Sequence, residues 1–210
     1  MRKMPLFWMR GWLNLVVVAG LSLVAQATPD GVTLYAKGRY EEAVDVFRRE
    51  LAAAEHDFGA DSVESLKCRN NLANALNANG RSAEAEVEHR KVLMVRERVL
   101  GREHAETLSS RSNLAVALHA QGKYMAAEIE YREVLTIRVR VRGVEDRDVL
   151  KTSFALALCV ESQGRLGDAL TLARQAENGW TKQLGASHPV TLRARMARLR
   201  MENAGMVRQE

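Results

Sequence analysis

GREHAETLSSRSNLAVALHAQGKYMAAE occupies residues 101–128. A near copy, GADSVESLKCRNNLANALNANGRSAEAE, occupies 59–86, and a more diverged one, GVEDRDVLKTSFALALCVESQGRLGDAL, occupies 143–170. Four columns keep this one interval without a gap: Gly38/Gly80/Gly122/Gly164, Gly59/Gly101/Gly143/Gly185, Ala43/Ala85/Ala127/Ala169 and Leu66/Leu108/Leu150/Leu192. Basic residues follow the first glycine column at Arg39, Arg81, Lys123 and Arg165. A fixed period of this size marks a stack of supersecondary units.

Within one unit, Leu108, Ser112, Ala115, Leu118 and Gln121 fall three and four apart, which is the spacing of one helix face. Gly122 ends that stretch, and glycine suits a helix C-terminus because it tolerates positive φ. Tyr124, Ala127, Tyr131, Val134, Leu135 and Val139 make a second stripe, which ends near Gly143. Each unit therefore reads as two helices joined by a tight turn. Asp61, Ser62, Asp146 and Ser187 offer capping side chains, and Pro189 suits a first helical position. Alanines at 73, 115 and 157 on the first helices, and at 85, 127 and 169 on the second, allow axes to approach to roughly 8–10 Å. One hairpin cannot bury its apolar face alone, whereas stacked neighbours can, and one continuous core is expected.

The stretch Leu114-Ala115-x-x-Leu118 with Gly122, Tyr124, Ala127 and Tyr131 resembles the tetratricopeptide pattern. Arg69, Arg111 and Ser153 stand where that pattern has Trp. The longer, 42-residue unit with its NNLA and QGKY stretches resembles the kinesin light chain type, from about residue 34 to residue 204. The resemblance implies an all-α, right-handed superhelical solenoid of antiparallel helix hairpins. The expected units are 29–59, 60–101, 102–143 and 144–185, with a capping helix at 188–204, within a repeat domain of residues 28–210. Arg193, Arg195, Arg198, Arg200 and Glu202 suit the polar outer face of such a cap.

Residues 1–27 stand outside the repeats. Arg2, Lys3 and Arg10 precede an apolar run from Trp12 to Val24, and Ala25-Gln26-Ala27 then offers a cleavage site. That is the form of a secretory signal peptide, the run being short for a membrane span of ~20 residues. The expected location is therefore exported, secreted or periplasmic, or membrane-anchored through this segment, with a cytoplasmic chain as the alternative. The chain carries +5 overall, and the segment holds three of its basic residues and no acidic one, so the remainder is +2. This balance gives no case for nucleic acid. The arginines at 138, 140 and 142 and at 193, 195, 198 and 200 lack interleaved aromatic side chains that would stack on bases.

No catalytic constellation is visible. Cys68 and Cys159 lie on first helices two units apart, too far for a disulfide, and read as structural thiols. The five histidines lack the spacing of a zinc protease, and His104 and His188 share a register place just ahead of a helix, which suits capping. No phosphate-cradling glycine loop or nucleophilic serine elbow is present, so no enzyme, cofactor or metal is expected. One face does stand out. Lys67, Asn70, Asn71, Asn74 and Asn77 share one side of their helix, away from Leu72, Ala73 and Leu76. The strip continues through Ser112, Asn113, Val116 and His119 to Lys151, Phe154 and Leu158. Asparagine amides both donate and accept, so they suit the backbone of an extended peptide. The resemblance implies that first helices line a concave groove and that Asn71, Asn74 and Asn113 grip a peptide there. It also sets Lys151 where a related chaperone-binding array keeps a carboxylate-gripping lysine, although Asn70 and Ala155 replace two of that site's basic residues. The candidate binding residues are thus Lys67, Asn70, Asn71, Asn74, Asn113, His119 and Lys151, and the expected partner is a protein or peptide. Glu86 reads as an inert position on the convex side. An exported or membrane-tethered scaffold using its outer faces, and a regulatory fragment of a larger repeat protein, are the alternatives. Neither the ligand nor the oligomeric state is written in the sequence.

Overall fold

The computed structural model describes residues 30–207, and every described element is an α-helix. The order is α1 Gly31–Ala36, α2 Tyr40–Phe58, α3 Val63–Ala78, α4 Ser82–Leu100, α5 Ala105–Ala120, α6 Tyr124–Arg142, α7 Arg147–Ser162, α8 Leu166–Leu184 and α9 Pro189–Val207. The expectations for residues 1–27 lie outside the described residues. First helices of full units have 16 residues and second helices 19, and α1 is the six-residue stub of a first helix.

The punctuation follows the columns. Both glycine series have positive φ, from 75° to 87°, a region that side chains with a Cβ enter at a cost. Ser62 Oγ accepts from Ser65 N at 3.1 Å, and Asp146 Oδ1 accepts from Asp148 N at 2.8 Å. His104 Nδ1 accepts from Glu106 N at 3.2 Å. At the last helix the acceptor is His188 Nδ1, which takes Val190 N at 3.3 Å, one residue past the Ser187 expected to cap. Second helices open differently. Arg39, Arg81 and Arg165 hold an acid three residues on, at Glu42, Glu84 and Asp168.

Each first helix of a full unit, α3, α5 and α7, packs between the second helix of its own unit and that of the unit before. The residues at the missing Trp positions tie these layers together. Arg69 bonds back to Glu55 on α2 and forward to Glu88 on α4 at 2.6 Å. Arg111 bonds back to Glu97 on α4 and forward to Glu130 and Glu133 on α6 at 2.8 and 2.7 Å. In the fourth unit the set changes together: Ser153 replaces the arginine, Val139 the rear glutamate and Leu172 the forward one. Such concerted exchange is what a buried ion pair demands, since an uncompensated charge is far costlier than an apolar seat. A second series works from the neighbouring residues. Arg96 donates to Ser110 Oγ at 2.8 Å and Arg138 to Thr152 Oγ1 at 2.7 Å.

The core departs from the continuity expected of it. Leu34, Ala43, Phe47, Leu72, Leu76 and Ala85 belong to one buried apolar group, and Leu93, Leu114, Tyr131, Leu150, Leu156 and Trp180 to another. Leu66, Val92 and Val95 form a third, small group, and Ala117 of α5 belongs to the first, so the boundary runs along α4 and α5, where His89 occupies the column of Phe47 and Tyr131. His89 is buried and its Nδ1 has no hydrogen-bond partner. Burial pushes its pKa down from 6.5 to about 4, against a small opposing pull from Glu88.

This gives a signed expectation. An unfolded chain protonates His89 more readily than the folded one, so its contribution is complete above pH 6.5 and is lost as pH falls towards 4. The loss is up to about 3 kcal/mol. His89→Phe should raise stability at neutral pH by about 1–2 kcal/mol, by removing an unpaired buried nitrogen. It should also flatten the dependence of stability on pH in that window, as urea unfolding monitored by circular dichroism between pH 7 and pH 4 will show.

Candidate functional site

The first helices of successive units meet directly, α3 with α5 and α5 with α7. Two side-chain bonds cross these seams: Asn113 Nδ2 donates to Asn70 Oδ1 at 3.0 Å, and His119 Nε2 lies 3.2 Å from Ser162 Oγ. This closer approach puts the first helices on the inner side of the curve, and the sides they turn away from both flanking second helices form its floor.

The sequence-selected residues occupy that floor in distinct ways. Lys67 and Lys151 are exposed, and Lys151 donates to Asp148 Oδ1 at 3.2 Å. Asn70 and Asn113 are half-buried and spend one bond on each other. Asn71 and Asn74 are half-buried and edge a depression of ≈ 140 Å³ with Val32, Tyr35 and Phe47. Phe47 is drawn up beneath Gly31, where a Cβ would stand 2.5 Å from its ring. His119 lies against Tyr124 with ring centroids 5.2 Å apart, and burial lowers its pKa. Asn77, on the same strip, has a buried Oδ1 without a partner.

The register extends the floor past the residues chosen from sequence. The place of Lys67 and Lys151 recurs at Arg193 on α9, that of Asn70 at Ser112, Phe154 and Met196, and that of Asn74 at Val116, Leu158 and Arg200. Phe154, Leu158, Leu192, Met196 and Ala197 line a second depression of ≈ 600 Å³, with Arg193 and Arg200 beside it. The floor thus runs from amide-rich at α3 to apolar with cationic edges at α7 and α9. Arg200 is tied to Glu161 at 2.6 Å, while Arg193 makes no ion pair among the described residues. The α9 contribution was legible by carrying the period on to the last helix, but reading α9 only as a polar cap hid it. Arg195 and Arg198 fit the polar reading: both bond Glu177, at 2.8 and 2.6 Å.

Glu86 is not inert. Its carboxylate accepts from Gln121 and Lys123 at 2.8 Å each, and from Arg90 at 2.8 Å. Partial burial raises its pKa, but these three bonds outweigh that and hold it at about 2. Glu128 repeats the arrangement in the next unit, with Gln163 at 2.7 Å and Arg165 at 3.0 Å. These carboxylates fasten the turn of one unit to the second helix of the unit before.

Little else in the described residues offers chemistry. Cys68 and Cys159 are free thiols, with pKa values raised first by burial, and Cys159 Sγ lies 3.3 Å from Tyr124 O. Among the described residues no group of three His, Cys, Asp or Glu side chains could hold a metal ion. No described helix is long and apolar enough to cross a membrane.

Comparison with known proteins agrees with this architecture. The tetratricopeptide repeat family model matches at residues 31–93, 69–140 and 112–182. Among solved structures, a kinesin light chain-type array of nearly identical tetratricopeptide-like repeats from Podosopora anserina is 25% identical, covers 85% of this chain and 85% of its own, and superposes with a TM-score of 0.72. BtubC (BKLC) from P. vanneervenii is 20% identical over 76% of this chain and 63% of its own, with a TM-score of 0.65, a likeness of fold. No curated protein matches.

Proposed function

Because the chain belongs to the tetratricopeptide repeat family, whose arrays are protein–protein interaction modules, we propose that its inner groove holds an extended peptide segment of a partner protein. The observation that carries this reading is the graded floor. Half-exposed amides at Asn71, Asn74 and Asn113 suit a peptide backbone, because each can pair with an N–H or a C=O. The apolar depression at Phe154, Leu158 and Met196 suits one bulky apolar side chain, and Arg193 beside it suits an acidic neighbour. Displayed peptides selected on the chain should therefore share an apolar residue next to Asp or Glu.

Asn74→Ala removes a groove amide without breaking a bond seen in the structure and replaces a poor helix former, so stability should hold or rise slightly. Asn113→Ala also removes the bond to Asn70 and should cost about 0.5–1.5 kcal/mol of stability. Each should weaken peptide binding by about 1–3 kcal/mol, since a backbone group would be left unpaired on a partly dry surface. Glu86→Ala should do the reverse, lowering stability and leaving binding unchanged. Titration calorimetry of a selected peptide alongside thermal melts separates these outcomes. Asn variants that melt lower and bind unchanged would reduce the amides to a structural role and end the groove reading.

A second reading uses the outer face. Val87 and Ile129 share a column on α4 and α6, and both are exposed, with Met94 and Met125 close by in sequence. An exposed apolar row of this kind suits a flat partner surface. Loss of partner binding on Val87→Asp with Ile129→Asp, but not on Asn74→Ala, would favour it.

Export belongs to the same proposal. It is supported by Arg2, Lys3, the apolar run and Ala25-Gln26-Ala27. N-terminal sequencing of protein from the native host should begin at Thr28, and an intact Met1 in a cytoplasmic fraction would contradict it.

A further inference from the structure

Arg96 on α4 and Arg138 on α6 stand one period apart, and each is only 8% exposed. Their neutral acceptors match. Arg96 Nη1 donates to Ser110 Oγ at 2.8 Å and Glu106 O at 3.2 Å, and Arg138 Nη1 to Thr152 Oγ1 at 2.7 Å and Asp148 O at 3.4 Å. The second nitrogen separates them. Arg96 Nη2 pairs with the Glu106 carboxylate at 3.0 Å. Arg138 Nη2 meets the Ser109 hydroxyl at 3.4 Å, and among the described residues no carboxylate lies within ion-pair distance of it. Asp148 holds the register place of Glu106, but it is one methylene shorter and is taken by Arg142 and Lys151 at 3.2 Å each. In the following unit both places change together, to Trp180 and Val190. A buried cation without a carboxylate against it is costly. The pair at Arg96 and the exchange at Trp180 both remove that cost, and it stays at Arg138. Burial accordingly lowers the Arg138 pKa, against a smaller opposing pull from Asp148.

The space beside the two arginines differs in the same sense. Beside Arg96 it amounts to ≈ 50 Å³, walled by Val63, Leu100 and Glu106. Beside Arg138 it is ≈ 290 Å³, with Ala105, Arg142 and Asp148 in the same three places and His104 and Ser109 alongside. Ala105 and Asp148 are each smaller than their counterparts. Glu103 also lines the pocket, but its carboxylate is held by Arg140 at 2.5 Å. Ser109 has the register place of Lys67 and Lys151, so the pocket lies at the margin of the groove floor.

We propose that this pocket binds a carboxylate group of a ligand, seated against Arg138 as Glu106 is seated against Arg96. A planar carboxylate matches the guanidinium fork. The volume has room for a small organic acid or for one acidic side chain of a bound protein, and the two offer the same chemistry. The pocket is separate from the amides at Asn71, Asn74 and Asn113, so it does not rest on the peptide reading.

Two probes distinguish the sources. One is succinate, with succinamide as its neutral control, and the other is a capped Ala-Glu-Ala tripeptide, with Ala-Gln-Ala as its control. Each is titrated at constant ionic strength into the nitrogen-15-labelled 210-residue chain and followed by NMR at the Arg138 Nε–H resonance, which is identified by its loss in Arg138→Gln. At least one acidic probe should shift it saturably, with a Kd on the order of 1 mM, and neither control should. Asp148→Glu supplies the longer acid found at Glu106, and Ala105→Val supplies the wall found at Val63. Each should weaken binding by about tenfold or more and melt at or above the parent temperature; if one fails to fold, the other reads the pocket. Asn74→Ala should leave both titrations unchanged, so failure of the groove reading would leave this result standing. A response to succinate alone assigns a free organic acid and a response to the glutamate peptide assigns an acidic protein segment, and either supports the proposal. No response to either acid overturns it. So do equal responses to the neutral controls, phosphate binding tighter than both acids, and binding unchanged in either folded variant.

Discussion

A first helix in this molecule is buried on two sides at once, by the second helix of its own unit and by that of the unit before. Everything else in the array follows from this demand. Small residues recur at 73, 115 and 157 and at 85, 127 and 169 because the crossings leave no room for more. Arg69 and Arg111 work because they stand where both neighbours are within reach, so one guanidinium holds three helices. The third side of each first helix is free of both neighbours, and the free sides, set next to one another, are the groove.

The same demand explains the ends. α1 is a stub, and Phe47 closes over its Gly31, so little of a first unit is needed to cover α2. At the other end α9 has its rear neighbour but no forward one among the described residues. Arg198 and Glu202 turn part of it polar by pairing with each other and with Glu177 and Arg174. Leu192 and Leu199 leave the rest apolar.

How much could be read beforehand depended on whether a feature repeats. Helix number, the glycine stops, the cap at Asp146 and the amide strip all recur or sit at a fixed register, and the sequence displays them openly. Features that depend on partners across the stack were hidden. Arg69 and Arg111 appeared only as a missing Trp, because their meaning lies in Glu55, Glu88, Glu97 and Glu130, which sit on the flanking second helices. Glu86 looked like a surface residue because its partners Gln121 and Lys123 belong to the next turn. The core was expected to be unbroken, and His89 in an aromatic column was the one visible sign that it would not be. The groove was half legible: its amide end was read directly, and its apolar end at Met196 needed the register carried through to the last helix.

The stability of the array rests on stacking between adjacent units alone. A chain that ends at Gly143 loses α7, α8 and α9 but keeps every contact among α1 to α6. Circular dichroism and thermal melting of that truncation test the claim most directly. Nearest-neighbour stacking predicts a shorter protein that is still helical and melts cooperatively at a lower temperature than the parent, because the stability of an array is a sum over units and neighbouring interfaces. A truncation that is unfolded in buffer would contradict it, since the first three units would then depend on contacts that nearest-neighbour stacking does not supply.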